Sequence, residues 1–110
     1  MTINHILSPD YQLINQPSNL ASEFHTVYAG DLLSIVLKSA TKGCVLITVI
    51  SNLNTIAVAV LLDIKAIVIS EGQIISEAMI NKANEESIAL FSTSFKTHEV
   101  IIDFKDRGLL

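Results

Sequence analysis

The stretch from Val45 to Gly72, VLITVISNLNTIAVAVLLDIKAIVISEG, limits what this chain can fold into more than any other part of it. An apolar run rich in β-branched residues (Val45 to Ile50) breaks at Ser51-Asn52. An apolar helical segment follows, and a second β-branched run (Ala66 to Ile69) closes on Glu71-Gly72. Two short runs of this kind joined by a helix make a βαβ unit, which fixes two parallel neighbouring strands and a right-handed crossover. Strands that are apolar throughout are buried on both faces, so the sheet needs helices on both sides.

The same stretch holds a trap. Val45 to Leu62 carries no charge, and its length is that of a membrane span. Thr48, Ser51, Asn52, Asn54 and Thr55 interrupt it where a strand would turn into a helix, which argues against a span. The first residues, MTINHILSPDY, have no basic region and no long apolar core, so no secretory leader is expected. A net charge of -4 without a basic stripe leaves nothing to neutralise phosphates, so neither nucleic acid nor an anionic membrane is an expected partner. The single cysteine, Cys44, begins an apolar run and reads as a buried, inert thiol in a reducing compartment, with a cytoplasmic location as the expectation. Half of the residues are apolar and only 16% are charged, a high apolar share for 110 residues. Some apolar surface is therefore expected to meet a partner.

The unit recurs along the chain. Strands begin at Val45, Ala66 and Ile88, one βα unit apart. Asp31 is the expected cap of a helix with Leu32, Leu33, Val36, Leu37 and Ala40 at helical spacing up to Gly43. Asn52 caps the next, whose inward positions are read as Leu53, Ile56, Ala57, Val60 and Leu61, with Val58 and Leu62 on its other face. Ser76 caps a third with Met79, Ile80 and Ala83 inward, and a last helix turns Val100, Ile101 and Phe104 inward before Gly108. Residues 1 to 23, which hold both prolines, read as an appended segment with a short helix (Thr2 to Leu7) and a strand (Tyr11 to Asn15); Phe24 to Tyr28 reads as a further strand. The expectation is a single domain over 1 to 110, its main βα units spanning 24 to 110. Its class is a three-layer α/β/α fold around a mostly parallel sheet of about five strands.

In an open parallel sheet the strand ends that feed helices line up on one edge, where ligands bind. That edge collects Gly30, Asp31, Ser51, Asn52, Asn54, Glu71, Gly72, Ser92 and Thr93, a concentration of small polar residues. These are the candidate ligand-binding residues, and the competing account is that each one caps its own helix. Asn54 is the sharpest case: as the second residue of its helix it has no capping duty, so its side chain is expected in a pocket shared with Asp31 and Ser92-Thr93. The three histidines (His5, His25, His98) are scattered, and there is no phosphate loop, nucleophile elbow or metal-ligand spacing. The chain is thus read as non-catalytic, with no metal and no cofactor.

Several pieces together resemble the DRTGG domain family: Val27 to Ser34 (VYAGDLLS), Ile47-Thr48, Asn54 to Asp63 (NTIAVAVLLD), Ile67 to Gly72 (IVISEG) and Leu90 to Thr93 (LFST). The resemblance covers residues 24 to 108. The family motif aligns at Asp31, where this chain has DLLSI, as in the short free-standing branch. Many relatives carry a histidine before the asparagine-containing helix start, where this chain has Ser51-Asn52. The resemblance implies an α/β/α domain similar to the N-terminal domain of HPr kinase/phosphorylase and to a region of long phosphotransacetylases. It further implies a regulatory or dimerising module, a redox-complex or signalling protein as partner, and no catalytic role. From the residues alone, a helix apolar nearly all round needs cover on both sides, so a homodimer is expected through the helix Leu53-Leu62, with Val58 and Leu62 at its interface, or through its neighbour Asp31-Ala40. The alternative function is a small-ligand or nucleotide sensor acting through the strand-end edge.

Overall fold

In the computed structural model, which describes all 110 residues, a 3₁₀ turn (Ile3–Ile6) precedes two short strands, β1 (Gln12–Leu13) and β2 (Val27–Ala29). Then come α1 (Leu33–Ser39), β3 (Val45–Thr48), α2 (Leu53–Leu61), β4 (Ala66–Ile69), α3 (Glu77–Glu85), β5 (Ala89–Ser92) and α4 (Thr97–Asp106). The sheet order is β1-β5-β4-β3-β2. β2 to β5 are parallel neighbours in chain order, and β1 joins β5 antiparallel at the rim. The five-strand, mostly parallel α/β/α fold read from the βα period is the fold observed. The uncharged stretch divides into β3 and the nine-residue α2, and no helix is long and apolar enough to cross a membrane.

Side chains of β3, β4 and β5 alternate between two cores, as the pleat requires. Leu46, Ile67, Ile69 and Leu90 meet Val36 of α1, Ile56 and Ala59 of α2, and Met79 and Ala83 of α3. Val45, Ile47, Ala66, Val68, Ala89 and Phe91 face the other way, onto Val100 and Phe104 of α4 and onto Ile3, Ile6, Tyr11 and Phe24 from the first 24 residues. Three helices therefore cover one face, while one helix and the N-terminal segment cover the other.

Of the inward positions expected for α2, only Ile56 is buried. Its buried positions are Thr55, Ile56 and Ala59, with Leu62 just beyond its end, whereas Leu53, Ala57, Val60 and Leu61 point outward. Thr55 tolerates burial because its hydroxyl donates to the Ile50 carbonyl at 2.7 Å. Leu62 is 7% exposed and belongs to the core, so it is no surface residue, and Val58 is half-buried against the same core. In α1, Val36 is buried and Leu33 and Ala40 half-buried, but Leu32 and Leu37 are exposed.

α2, α3 and α4 end alike. In each, a left-handed residue (Asp63 at φ 54°, Ser87 at 51°, Gly108 at 75°) follows the C-cap. The next amide, of Ile64, Ile88 or Leu109, returns to the carbonyl of Ala59, Ala83 or Phe104 at 2.8–2.9 Å. This Schellman closure satisfies end carbonyls and drops a buried apolar residue back onto the core.

The expected helix at Thr2 to Leu7 is the 3₁₀ turn, and the expected strand at Tyr11 to Asn15 shrinks to β1. Asn15 replaces strand backbone with side chain: buried, it donates to the Ile88 carbonyl at 2.7 Å and accepts from the Leu90 amide at 2.9 Å. Arg107, beyond α4, clasps the same segment by donating to the His5 and Ile6 carbonyls and to Asp103 Oδ2, which also accepts from the Tyr11 hydroxyl at 2.9 Å. The guanidinium lies 5.3 Å from the centre of the Tyr11 ring.

Burial, then the Asp103 carboxylate, pushes the Tyr11 phenol well above its ordinary range. With a raised folded value, its contribution to stability is complete below the unfolded pKa of about 10 and is lost as pH climbs further. Urea midpoints should therefore fall between pH 9 and pH 11 in the wild type and fall less in Tyr11→Phe; parallel declines would refute the assignment.

Candidate functional site

The carboxyl ends of β2 to β5 form the edge where this class of sheet binds ligands. α1, α2 and α3 leave toward one face, but after β5 the chain crosses to the other face for α4. The two directions part between β4 and β5, where a doubly wound sheet opens its crevice.

Here that opening is tied shut. The Glu71 amide donates to the Phe95 carbonyl at 2.8 Å and the Gly72 amide to the Thr93 carbonyl at 2.9 Å. Beneath them, the hydroxyls of buried Ser70 and of Thr97 lie 2.8 Å apart. Thr93 turns its own hydroxyl to the Phe95 amide at 3.1 Å. To aim two successive amides at the opposite loop, Glu71 and Gly72 both take left-handed backbone, at φ 64° and 63°. Glycine does this freely, whereas a glutamate there is strained by about 1–2 kcal/mol.

The other expected residues form separate groups. Asp31 does not cap α1, which starts at Leu33 after an extended Leu32. Its Oδ1 instead accepts from the Thr48 hydroxyl at 3.0 Å and the Val49 amide at 2.9 Å, because the loop carries it toward the end of β3. Gly30 sits where an added Cβ would lie 3.0 Å from the Tyr28 ring, a tight contact to which the half-buried tyrosine would have to yield. Ser51 is half-buried ahead of Asn52, which accepts from the Asn54 amide at 2.9 Å as the expected cap of α2.

Asn54 itself is exposed. With Asn52, Leu53, Ser76 and Ala78 it lines an open depression of about 290 Å³ between the starts of α2 and α3. Ser92 and Thr93 border a different hollow, of about 280 Å³, with Pro9, Asp10, Gln12 and Ser94. The pocket expected to join Asn54 to Asp31 and Ser92-Thr93 is thus two hollows, and neither contains Asp31. Sequence reasoning missed Thr48, Ser70 and Thr97, which make the ties. For Thr48 and Ser70 the signal was a hydroxyl closing an apolar strand, where a buried polar atom must find a partner, whereas Thr97 opens α4 and carried no such signal.

The strain at Glu71 is measurable. Glu71→Gly should raise stability by about 0.5–1 kcal/mol in urea unfolding, because release of the left-handed strain outweighs the added freedom of the unfolded chain. A loss of stability would show that the glutamate side chain holds the loop.

No protein-family model matches the chain, and no curated protein matches it in sequence. Among solved structures it is similar to the CBS and DRTGG domains of the regulatory region of a Clostridium perfringens pyrophosphatase, crystallised with the activator diadenosine tetraphosphate. The TM-score is 0.60 at 14% identity, over 69% of this chain and 33% of that one. At that identity the likeness is one of fold, and this chain spans about a third of the length of the neighbour.

Proposed function

We propose that this protein is a non-catalytic regulatory module that acts by binding. The observation that carries the reading is the closed parting between β4 and β5: the polar groups best placed to converge on a substrate are spent on one another. Asp31, the one carboxylate drawn to the end of β3, is likewise engaged by Thr48 and Val49. Only Oδ1 is spent in this way, so Asp31 supports the reading as a structural tie and not by lacking a free lone pair. The likeness in fold to a pyrophosphatase regulatory region supports the same reading.

Stability separates a tie from a working group. Residues that serve chemistry are held at a cost to the fold, so replacing them is neutral or stabilising. Asp31→Ala should instead cost about 1–3 kcal/mol by chemical denaturation, because it leaves the Thr48 hydroxyl and the Val49 amide without their acceptor. A more stable Asp31→Ala would overturn the tie and reopen a catalytic reading of this edge.

A second reading is a nucleotide or small-ligand sensor. The depression between the starts of α2 and α3 favours it, since helix N-termini attract anions. So does the activator bound by the neighbouring structure. A thermal-shift screen of nucleotides, diadenosine tetraphosphate and acyl phosphates decides it. A ligand at 100 times its Kd adds about 2.7 kcal/mol, which for a chain of this size moves Tm by roughly 10 °C or more. Asn54→Ala should abolish that shift while leaving the unliganded Tm nearly unchanged. Flat responses throughout would remove the sensor and leave the module.

A further inference from the structure

One hollow on the strand-end edge holds polar groups that nothing in the chain engages. It lies at the rim, where antiparallel β1 joins β5, and Pro9, Asp10, Gln12, Ser92, Thr93 and Ser94 line its volume of about 280 Å³. Gln12 and Ser92 stand directly opposite each other in the β1–β5 pair, so their side chains are neighbours on one face of the sheet. By the alternation of the strand this is the face of α1 to α3, since Leu90 packs there and Phe91 on the other side. α3 is the last helix on that face, and no helix residue lines the hollow. The topology leaves this corner of the sheet open.

Elsewhere on the edge the polar groups are spent: Asp31 on Thr48 and Val49, Asn52 on the Asn54 amide, Ser70 on Thr97. In the hollow they are not. The Asp10 main-chain amide donates to Ser8 Oγ, but its carboxylate has no hydrogen bond and no ion pair within the chain. The side-chain amide of Gln12 and the hydroxyls of Ser92 and Ser94 are equally free. Thr93 is 4% exposed; its hydroxyl oxygen accepts from the Phe95 amide, and the proton it carries has no acceptor in the chain.

This lining selects its occupant. A carboxylate with no cation beside it attracts an ammonium group and repels phosphate. Hydroxyls and an amide both donate and accept, which suits hydroxyl groups on the ligand. Apart from the proline ring, no apolar wall is offered to a purine or an acyl chain. We propose that the hollow binds a small polyhydroxylated amine of about monosaccharide size, its ammonium group on Asp10 and its hydroxyls on Gln12, Ser92 and Ser94. The volume stands near the lower limit of about 300 Å³ for small-molecule pockets. With an open site and an exposed carboxylate, the affinity is modest, a Kd on the order of 1 mM. The site goes beyond the regulatory reading, and it is separate from the depression between α2 and α3, so it stands or falls apart from the nucleotide reading.

The test is a titration of the full, isotope-labelled chain followed by its amide resonances, with glucosamine, glucose and inorganic phosphate as cationic, neutral and anionic probes. Glucosamine should move the amides of Asp10, Gln12 and Ser92 to Ser94 along saturating curves, and phosphate should leave them still. Glucose should bind about fivefold more weakly, the upper end of what an exposed ion pair contributes. Asp10→Asn should remove the advantage of glucosamine over glucose, and Ser94→Ala should weaken both probes; since both side chains are exposed, Tm should barely move. Raising the ionic strength from about 0.01 M to about 0.1 M should weaken glucosamine alone. An Asp10→Asn chain that still prefers the amine overturns the site, and so do shifts confined to Asn52, Asn54 and Ser76. A flat response to glucosamine at about fifty times the expected Kd also overturns it, and leaves the nucleotide reading to its own screen.

Discussion

A parallel sheet that is apolar on both faces has to be covered twice, and the rest of this structure follows from how the second cover is found. Three crossovers place α1, α2 and α3 on one face as a direct result of connecting neighbouring parallel strands. The other face has only α4, which cannot span four strands. Residues 1 to 24 supply the missing cover with Ile3, Ile6, Tyr11 and Phe24. That segment is mostly irregular, and its own strand pairing is limited to the isolated bridges Thr2–Glu23 and Ser8–Tyr11, too little to seat it on the sheet. Specific polar groups hold it instead: Arg107 on the His5 and Ile6 carbonyls, Asp103 on Tyr11, and the Asn15 side chain standing in for a strand.

The parts of the fold that could be read from the sequence are those where the local pattern had a single solution. β3, β4 and β5 were visible as short β-branched runs one βα unit apart, and α3 and α4 were visible because their outer positions are polar. α2 was misread because two apolar stripes compete on one helix. The larger side chains, Leu53, Val60 and Leu61, favoured the wrong stripe, while the stripe that packs includes Thr55 and Ala59. Size and hydropathy mislead when a threonine can satisfy its own hydroxyl, as Thr55 does on the Ile50 carbonyl, and when a small residue lets a helix sit close to a sheet. The N-terminal segment was illegible for another reason. Its anchors, Asp103 and Arg107, lie about a hundred residues away, and no local period encodes such a pairing.

At the candidate site the residue types were legible but their joint geometry was not. The strand-end edge does gather Asp31, Asn52, Glu71 and Thr93, because polar residues are needed wherever backbone leaves a sheet. Whether such residues converge on a ligand or on each other depends on where the connecting loops diverge. Here they diverge between β4 and β5, and two left-handed residues in succession, one of them a glutamate, turn main-chain amides across the gap. A strained residue persists only where its surroundings over-determine it. The ties from Glu71, Gly72 and Ser70 provide that support, and the result is a closed edge with separate hollows beside it.

Comparing α2 with α3 separates what the fold requires from what it leaves free. Both helices cap with a short polar residue, bury an alanine one turn before their end, and close by returning an isoleucine amide to that alanine through a left-handed residue. Neither supplies a glycine for that left-handed position, so both carry the same strain in the same place. Two helices solving one packing problem in one way show that their inner faces are set by the sheet beneath. Their outer faces then differ without any structural need. α3 carries Lys82 paired with Glu85 and Glu86, the ordinary solvated surface. α2 spends the equivalent positions on leucine, valine and alanine, which helps neither solubility nor the core. The two helices thus differ on their outer faces alone, the part that the sheet beneath does not set.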